Sequence, residues 1–234
     1  MPTTRVALIV ALIALAAVIV LGGLAGWLRM RHGVAAPYTR KLFHIAIFTL
    51  AAGVHAAGGT PAVVVFGSVV AAAVVFAVMR GDGFAFYEAL ARPADAPHRS
   101  LFVVVPLVTT AVGGVLAVLL FGRFAVIGYL VAGWGDALGE PVGTRWGWHR
   151  YRVPSFAGVK ATRSMEGSAA VFVAGTLAAL AGLGTLGHVA TGALVVALAT
   201  GAAAAVVEAV STHGLDNLTV QLAASGVAWW MLNG

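Results

Sequence analysis

Apolar residues run almost unbroken along this chain, and polar stretches interrupt them at intervals. Eight continuous apolar segments stand out, at about 6–28, 42–57, 61–79, 101–121, 124–138, 167–183, 188–207 and 218–232. A helix needs about 20 apolar residues to cross the hydrocarbon core of a bilayer, with roughly 17–25 tolerated. A backbone facing lipid must satisfy its own hydrogen bonds, so runs of this kind predict helices. None of them alternates polar and apolar residues as a barrel strand would. The first run exceeds the roughly 7–15 apolar residues of a secretory signal core and has no convincing cleavage site after it, so it is expected to stay as a helix. The expected fold is an all-α, polytopic integral membrane protein, a single helical domain over residues 1–234. About eight crossings are predicted, or seven if one of the short segments (the second, fifth and eighth) does not span.

Composition narrows this further. Of 234 residues, 61% are hydrophobic and 9% charged, against roughly 25% charged in an average soluble domain. Cysteine is absent, which excludes disulfides, thiolate metal sites and cysteine nucleophiles. The formal charge of +6 reflects placement. Of the 14 basic residues, all but Arg5 and Arg123 fall in loops at about 29–41, 80–100 and 139–166. The positive-inside rule assigns those loops, with 208–217, to the cytoplasm and both termini to the outside. The charge is therefore a topology signal, and no nucleic-acid partner is expected. Carboxylates are not governed by that rule, yet all eight (Asp82, Glu88, Asp95, Asp136, Glu140, Glu166, Glu208 and Asp216) lie on or just inside the same face. A multi-pass cell-membrane protein with its chemistry at the cytoplasmic surface is the expectation.

Three polar segments carry that chemistry. The longest is GDALGEPVGTRWGWHRYRVPSFAGVKATRSMEG, residues 135–167. Asp136 and Glu140 are four apart and share one face of a helix. An ionisable group at such depth costs a few kcal/mol unless paired, hydrated or metal-bound, and paired acids are ligands that Mg²⁺ prefers together with phosphate oxygens. Gly139, Gly143 and Gly147 follow at four-residue spacing, which serves either helix packing or close approach of a phosphate to bare backbone. Arg145, Arg150, Arg152, Lys160 and Arg163 then supply cations suited to phosphate, or to anionic lipid head groups, with Ser155, Thr162 and Ser164 as hydroxyl donors. The second segment is EAVSTHGLDNLT, residues 208–219. Asp216 or Asn217 either caps the following helix or serves function. Glu208 ends a helix where the dipole disfavours an anion, so it needs a cation from the basic loop or a metal. The third is Arg40-Lys41-Leu42-Phe43-His44. Arg40 and Lys41 suit juxtamembrane snorkelling, and His44, one turn deeper, is either a satisfied core histidine or a functional one. The seven histidines show no zinc-hydrolase spacing. Phe84, Phe86, Tyr87 and Leu90, set among the charges of 81–99, read as an interfacial amphipathic stretch.

In this order the segments resemble the polyprenol kinase family, which includes phytol and dolichol kinases and is related to phosphatidate cytidylyltransferase. Arg40-Lys41-x-x-His44 is similar to the family's RKxxH element. Gly135-Asp136-Ala137-Leu138-Gly139, continuing through Gly143 and Gly147, is similar to its GD…GxxxG element, and Arg163-Ser164-Met165-Glu166-Gly167-Ser168 to its K(S/T)xEG(S/T) element. Glu208 with Asp216-Asn217-Leu218-Thr219-Val220 is similar to its E…DNLT(V/I)P element. Arg163 stands where lysine is usual, with Lys160 nearby, and Gln221 where proline is usual.

The resemblance implies phosphoryl transfer from CTP to the hydroxyl of a long isoprenoid alcohol. It implies Mg²⁺, or another divalent cation, on Asp136, Glu208 and Asp216. Nucleotide contacts would come from Lys41, Gly139, Gly143, Gly147, Arg150, Lys160, Arg163, Ser164 and Asn217. Asp136, Glu140, Glu166 and His44 would serve catalysis. Two readings compete with it: a cytidylyltransferase making a CDP-lipid, and an ion-coupled transporter, which predicts charge near the midplane with access from both faces. A lipid alcohol, a nucleotide and the surrounding membrane lipids are the expected partners, and the oligomeric state, monomer or homodimer, stays open.

Overall fold

The computed structural model describes residues 4–155, 161–189 and 191–234. Among them the architecture is all-α apart from one two-stranded ribbon. Among the described residues, five stretches are long and apolar enough to cross a membrane: Thr4–His32, Ala36–Arg80, Leu101–Trp146, Met165–Thr185 and Ala193–Val210. Two of these, at 45 and 46 residues, would run to roughly 70 Å as straight helices, more than twice the bilayer core. Each is broken near its middle by a glycine at positive φ. Gly59, at φ 67°, interrupts the helical path two residues before Pro61. Gly122, at φ 56°, opens a single 3₁₀ turn, and the Tyr129 hydroxyl beyond it donates to the Gly114 carbonyl before it at 3.3 Å. A side chain at either glycine would be strained, because L-residues rarely adopt that region. The 218–232 segment is helical but is not among the five spans.

The chain divides into two compact units, Met1–Val108 and Thr109–Gly234, where the sequence suggests one domain. In the first unit, α1 (Thr4–Ala17) continues through a π turn at Val18–Gly22 into α2 (Gly23–His32). These pack with α3 (Ala36–Arg80) and the short α4 (Ala85–Leu90). The core gathers Val10, Ala14 and Val18 with Phe43, Ile47, Phe66, Val70 and Val74, so both halves of α3 contribute. The expected amphipathic stretch is α4, which buries Phe86, Tyr87, Ala89 and Leu90. Gly22 and Gly26 let α2 sit directly on it: a Cβ at Gly22 would lie 3.1 Å from the Phe86 ring, and one at Gly26 would lie 2.9 Å from the Ala85 carbonyl carbon.

Arg99 ties the polar side of α4 down. Its Nη2 donates to Glu88 Oε2 at 2.7 Å and to the Ala91 carbonyl at 3.0 Å, and its Nη1 donates to Asp82 Oδ1 at 2.7 Å. The hydrogen bond from the Arg99 guanidinium holds the Glu88 carboxyl below its ordinary range, and the Gly83 N–H adds to the effect. A carboxylate with a depressed folded-state pKa stabilises fully above its unfolded value and progressively less as pH falls through the folded one.

The second unit holds the rest of α5 (Leu101–Phe121), then α6 (Ala125–Trp146), strands β1 (Arg150–Val153) and β2 (Ala161–Ser164), α7 (Met165–Thr185), α8 (Ala193–Val210) and α9 (Asp216–Asn233). Its helices meet through small residues, as membrane helices do when backbones must approach closely. A Cβ at Gly113 would lie 2.8 Å from the Leu218 Cα, one at Gly182 would lie 2.9 Å from Ile127, and one at Gly201 would lie 2.8 Å from the Phe172 carbonyl.

Glu88→Gln is expected to destabilise the protein by about 1–2 kcal/mol at neutral pH. That deficit should shrink steadily as the pH is lowered below the ordinary carboxylate range. Thermal unfolding of both proteins in detergent across pH checks it; a deficit that is constant down to acid pH contradicts the assignment.

Candidate active site

The sequence has the whole of 139–166 as a cytoplasmic loop, and the structure corrects this at both ends and in the middle. The α6 helix runs on to Trp146 past Pro141, and α7 starts at Met165. Between them β1 and β2 pair antiparallel, with Arg150 opposite Ser164, Tyr151 opposite Arg163, Arg152 opposite Thr162 and Val153 opposite Ala161. Alternation along a strand sends neighbouring side chains to opposite faces. Arg150, Arg152 and Thr162 are accordingly exposed, while Tyr151 and Arg163 turn the other way and are partly buried. The polar–apolar alternation of RYRV carried a period-two signal for β1, overlooked beneath the density of charge.

Arg163 organises the site. Its Nε lies 2.8 Å from Glu208 Oε1, and its Nη2 donates to Asp216 Oδ2 at 2.9 Å. The three side chains are only 10%, 13% and 16% exposed. Glu208 sits in the last turn of α8, where the helix dipole is unfavourable to an anion. The cation it was expected to need is this guanidinium. Asp216 begins α9, where the dipole favours it, and its Oδ1 accepts the Asn217 N–H at 3.0 Å. A guanidinium fork reaches two carboxylates through two different nitrogens, which an ammonium point charge does with less geometric definition. The third nitrogen, Arg163 Nη1, is buried and has no hydrogen-bond partner among the described residues.

Neighbouring residues hold this triad in place. The His213 N–H donates to the Pro154 carbonyl at 2.9 Å, tying the α8–α9 turn to the end of β1. Ser211 and Thr219 hydroxyls share a hydrogen bond of 2.6 Å across the same turn. Asn217 Nδ2 donates to Thr110 Oγ1 at 2.9 Å, and Gln221 Nε2 donates to the Thr110 and Asn217 carbonyls. The side chains of Asn217 and Gln221 thus fasten α9 to α5. Thr109, one residue earlier, donates to the Gly214 carbonyl at 2.8 Å.

The other candidates fall as follows. Ser164 is the N-cap of α7, its hydroxyl accepting the Gly167 N–H at 3.1 Å. Glu166 Oε1 lies 2.6 Å from His149 Nδ1, a partner that the sequence did not single out. The Ser168 hydroxyl meets that of Tyr151 at 2.9 Å. Gly139, Gly143 and Gly147 face the start of α7: a Cβ at Gly139 would strike Val171, and one at Gly143 or Gly147 would crowd Ser164 Oγ at 3.0 or 2.7 Å. At these three positions bare backbone permits close packing against the start of α7. Asp136 and Glu140 are half-buried, one turn apart on α6. Arg150 is exposed and its Nε donates to the Gly147 carbonyl at 2.9 Å. Lys160 lies outside the described residues. Arg40, Lys41 and His44 belong to the first unit, in the opening turns of α3. Lys41 is buried there, and the His44 ring stacks on Phe48 with 4.3 Å between centroids.

Among the described residues, no three of Asp, Glu and His gather into a group able to hold a metal ion. Glu208 and Asp216 are brought to one guanidinium, that of Arg163, through different nitrogens. Two carboxylates completed by phosphate oxygens and water form an ordinary Mg²⁺ environment, so that pair fits a divalent cation, while the geometry does not add Asp136 to it.

Neither a protein-family model nor a solved structure matches the chain. Over 106 residues the chain is 41% identical to a phytol kinase from Synechocystis sp., a match covering 45% of this chain and 43% of that relative. The chain thus aligns with less than half of the relative's length. This similarity and the order of the four motifs support the same polyprenol and phytol kinase relationship.

Arg163→Met leaves two nearly buried carboxylates without their shared cation and is expected to cost about 3–5 kcal/mol. Arg163→Lys should recover part of that. The triple variant Arg163→Met, Glu208→Gln, Asp216→Asn should be more stable than Arg163→Met alone, as measured by unfolding in detergent. A triple variant no better than the single one would mean that the ion pairs do not govern stability here.

Proposed function

We propose that this protein is a CTP-dependent kinase that phosphorylates the hydroxyl of a long-chain isoprenoid alcohol (phytol, geranylgeraniol, polyprenol or dolichol type). The observation that carries the reading is the Arg163 centre: a nearly buried guanidinium spanning two carboxylates, with one nitrogen left without a partner among the described residues. A buried polar group without a partner calls for an explanation, and a phosphate oxygen is a fitting one. The sequence similarity to a phytol kinase supports a kinase reaction.

We place the site at the cytoplasmic face of a protein with eight crossings and both termini outside, as the distribution of arginine and lysine suggests. In phosphoryl transfer the protein mostly positions groups and neutralises charge. Arg163 Nη1 would donate to a phosphate oxygen while Nε and Nη2 keep Glu208 and Asp216 in register. When bound, a divalent cation, Mg²⁺ by resemblance, would neutralise further phosphate charge, with Glu208 and Asp216 as the carboxylates to hold it. The alcohol oxygen bonds to the γ-phosphorus as the bond to the β–γ bridging oxygen breaks, CDP leaves, and the alcohol proton passes to a base. Glu140 and Glu166 are the proposed bases, with Asp136 as the remaining acid of the site. The alcohol would enter from the bilayer with its tail among the helices.

Membranes containing the protein, given CTP labelled at the γ-phosphate and an isoprenoid alcohol, are expected to yield labelled lipid monophosphate. Label from the α-phosphate appearing in a CDP-lipid would instead establish the cytidylyltransferase reading. Asp136→Asn and Glu208→Gln are each expected to lower turnover about 10²-fold or more. Turnover unchanged in both variants would remove these acids from the mechanism.

A further inference from the structure

The ribbon that turns Arg163 inward presents a different surface outward, where the family resemblance implies a role in the reaction for Arg150 alone. Arg150, Arg152 and Thr162 are exposed on its outer side. Beside it stand three large exposed side chains: Trp148 at 84%, Met165 at 64% and Trp146 at 55%. They are held together locally. The Met165 N–H donates to the His149 carbonyl at 3.1 Å and the Arg150 N–H to the Trp148 carbonyl at 3.2 Å, while the Arg145 guanidinium lies 5.3 Å from the Trp146 ring centroid. None of Arg145, Arg150 and Arg152 forms an ion pair with a carboxylate among the described residues, in contrast to the doubly paired Arg163.

We infer that this outer face, formed by Arg145, Trp146, Trp148, Arg150, Arg152, Thr162 and Met165, docks on the anionic lipid head groups of the bilayer that the helices cross. Two properties select that occupant. A soluble polyanion accounts for the three arginines but leaves two tryptophans and a methionine in water. Tryptophan concentrates at the boundary between hydrocarbon and head groups, and juxtamembrane cations are drawn to anionic lipid. The surface also continues directly from α6, part of the candidate span Leu101–Trp146, whose last residue is Trp146 itself. With the outer face on the head groups, the inner face carries Arg163 at the membrane boundary. This inference stands on the ribbon's geometry and is independent of the reaction proposed above.

The chain has no cysteine, so a single introduced thiol can be labelled without background. Thr162→Cys carrying a nitroxide would be placed in nanodiscs of phosphatidylcholine, with or without phosphatidylglycerol, and its accessibility to a water-soluble nickel chelate measured. Thr144→Cys, exposed near the end of α6, is the second label site if the first variant folds poorly. Phosphatidylglycerol is expected to reduce accessibility at least about twofold. High salt should reverse the reduction, and the pair Arg145→Gln, Arg152→Gln should abolish it. Equal accessibility in the two lipids overturns the inference. So does equal protection by CTP or inorganic phosphate in phosphatidylcholine alone, which would identify a soluble phosphate as the occupant. Protection that follows protein concentration in both lipids would identify a second copy of the chain and overturn it as well.

Discussion

Two carboxylates at helix ends, nearly removed from water, impose the main electrostatic constraint on the second unit. Glu208 and Asp216 come from different helices, and each is a charge in a poorly solvated place, costly unless paired. A single guanidinium answers both. That answer constrains the chain upstream, because Arg163 must leave its strand on the correct face and at the correct height. The ribbon register does this by setting Tyr151 opposite Arg163. The Ser164 cap then starts α7 immediately, so that the residue neutralising α8 and α9 is covalently adjacent to the helix that packs on α6.

Close packing is the second requirement, and it explains the glycines. A charge-assisted contact near 2.8 Å tolerates little slack, so the helices carrying its partners must be fixed against their neighbours. Gly139, Gly143 and Gly147 remove side chains where α6 meets the start of α7, and Gly113 does the same where α5 meets α9. Shape complementarity between backbones can do this in a membrane, where lipid is as apolar as a leucine core and burial of apolar area drives association weakly.

Much of this was legible in the sequence. Apolar runs marked the helices because lipid leaves the backbone no other partner, and Gly59 and Gly122 fall between predicted segments. The need of Glu208 for a cation followed from its place at a helix C-terminus. The ribbon was missed because two four-residue strands inside a basic stretch carry too few apolar positions to show against the charges. The pairing of Glu166 with His149 was missed for another reason: seventeen residues separate them, and only the ribbon's return brings them together. The division of the chain into two units leaves no trace in a pattern where every segment is equally apolar.

Arg163 and Gln221, which depart from the motifs of the family the chain resembles, gain a common explanation. Arginine at 163 can address Glu208 and Asp216 through separate nitrogens, but only if Asp216 is held at a fixed place. Asp216 opens α9, and the first turn of a helix is where fraying is easiest. Asn217 and Gln221, one turn apart, both bind Thr110 and so anchor that turn to α5. A proline at 221 would offer no side-chain donor to Thr110 and no backbone N–H within the helix. Glutamine supplies the donor from a fully buried position. The forked cation at 163 and the anchor at 221 therefore act on the same helix turn, the first by binding Asp216 and the second by fastening the start of α9 to α5.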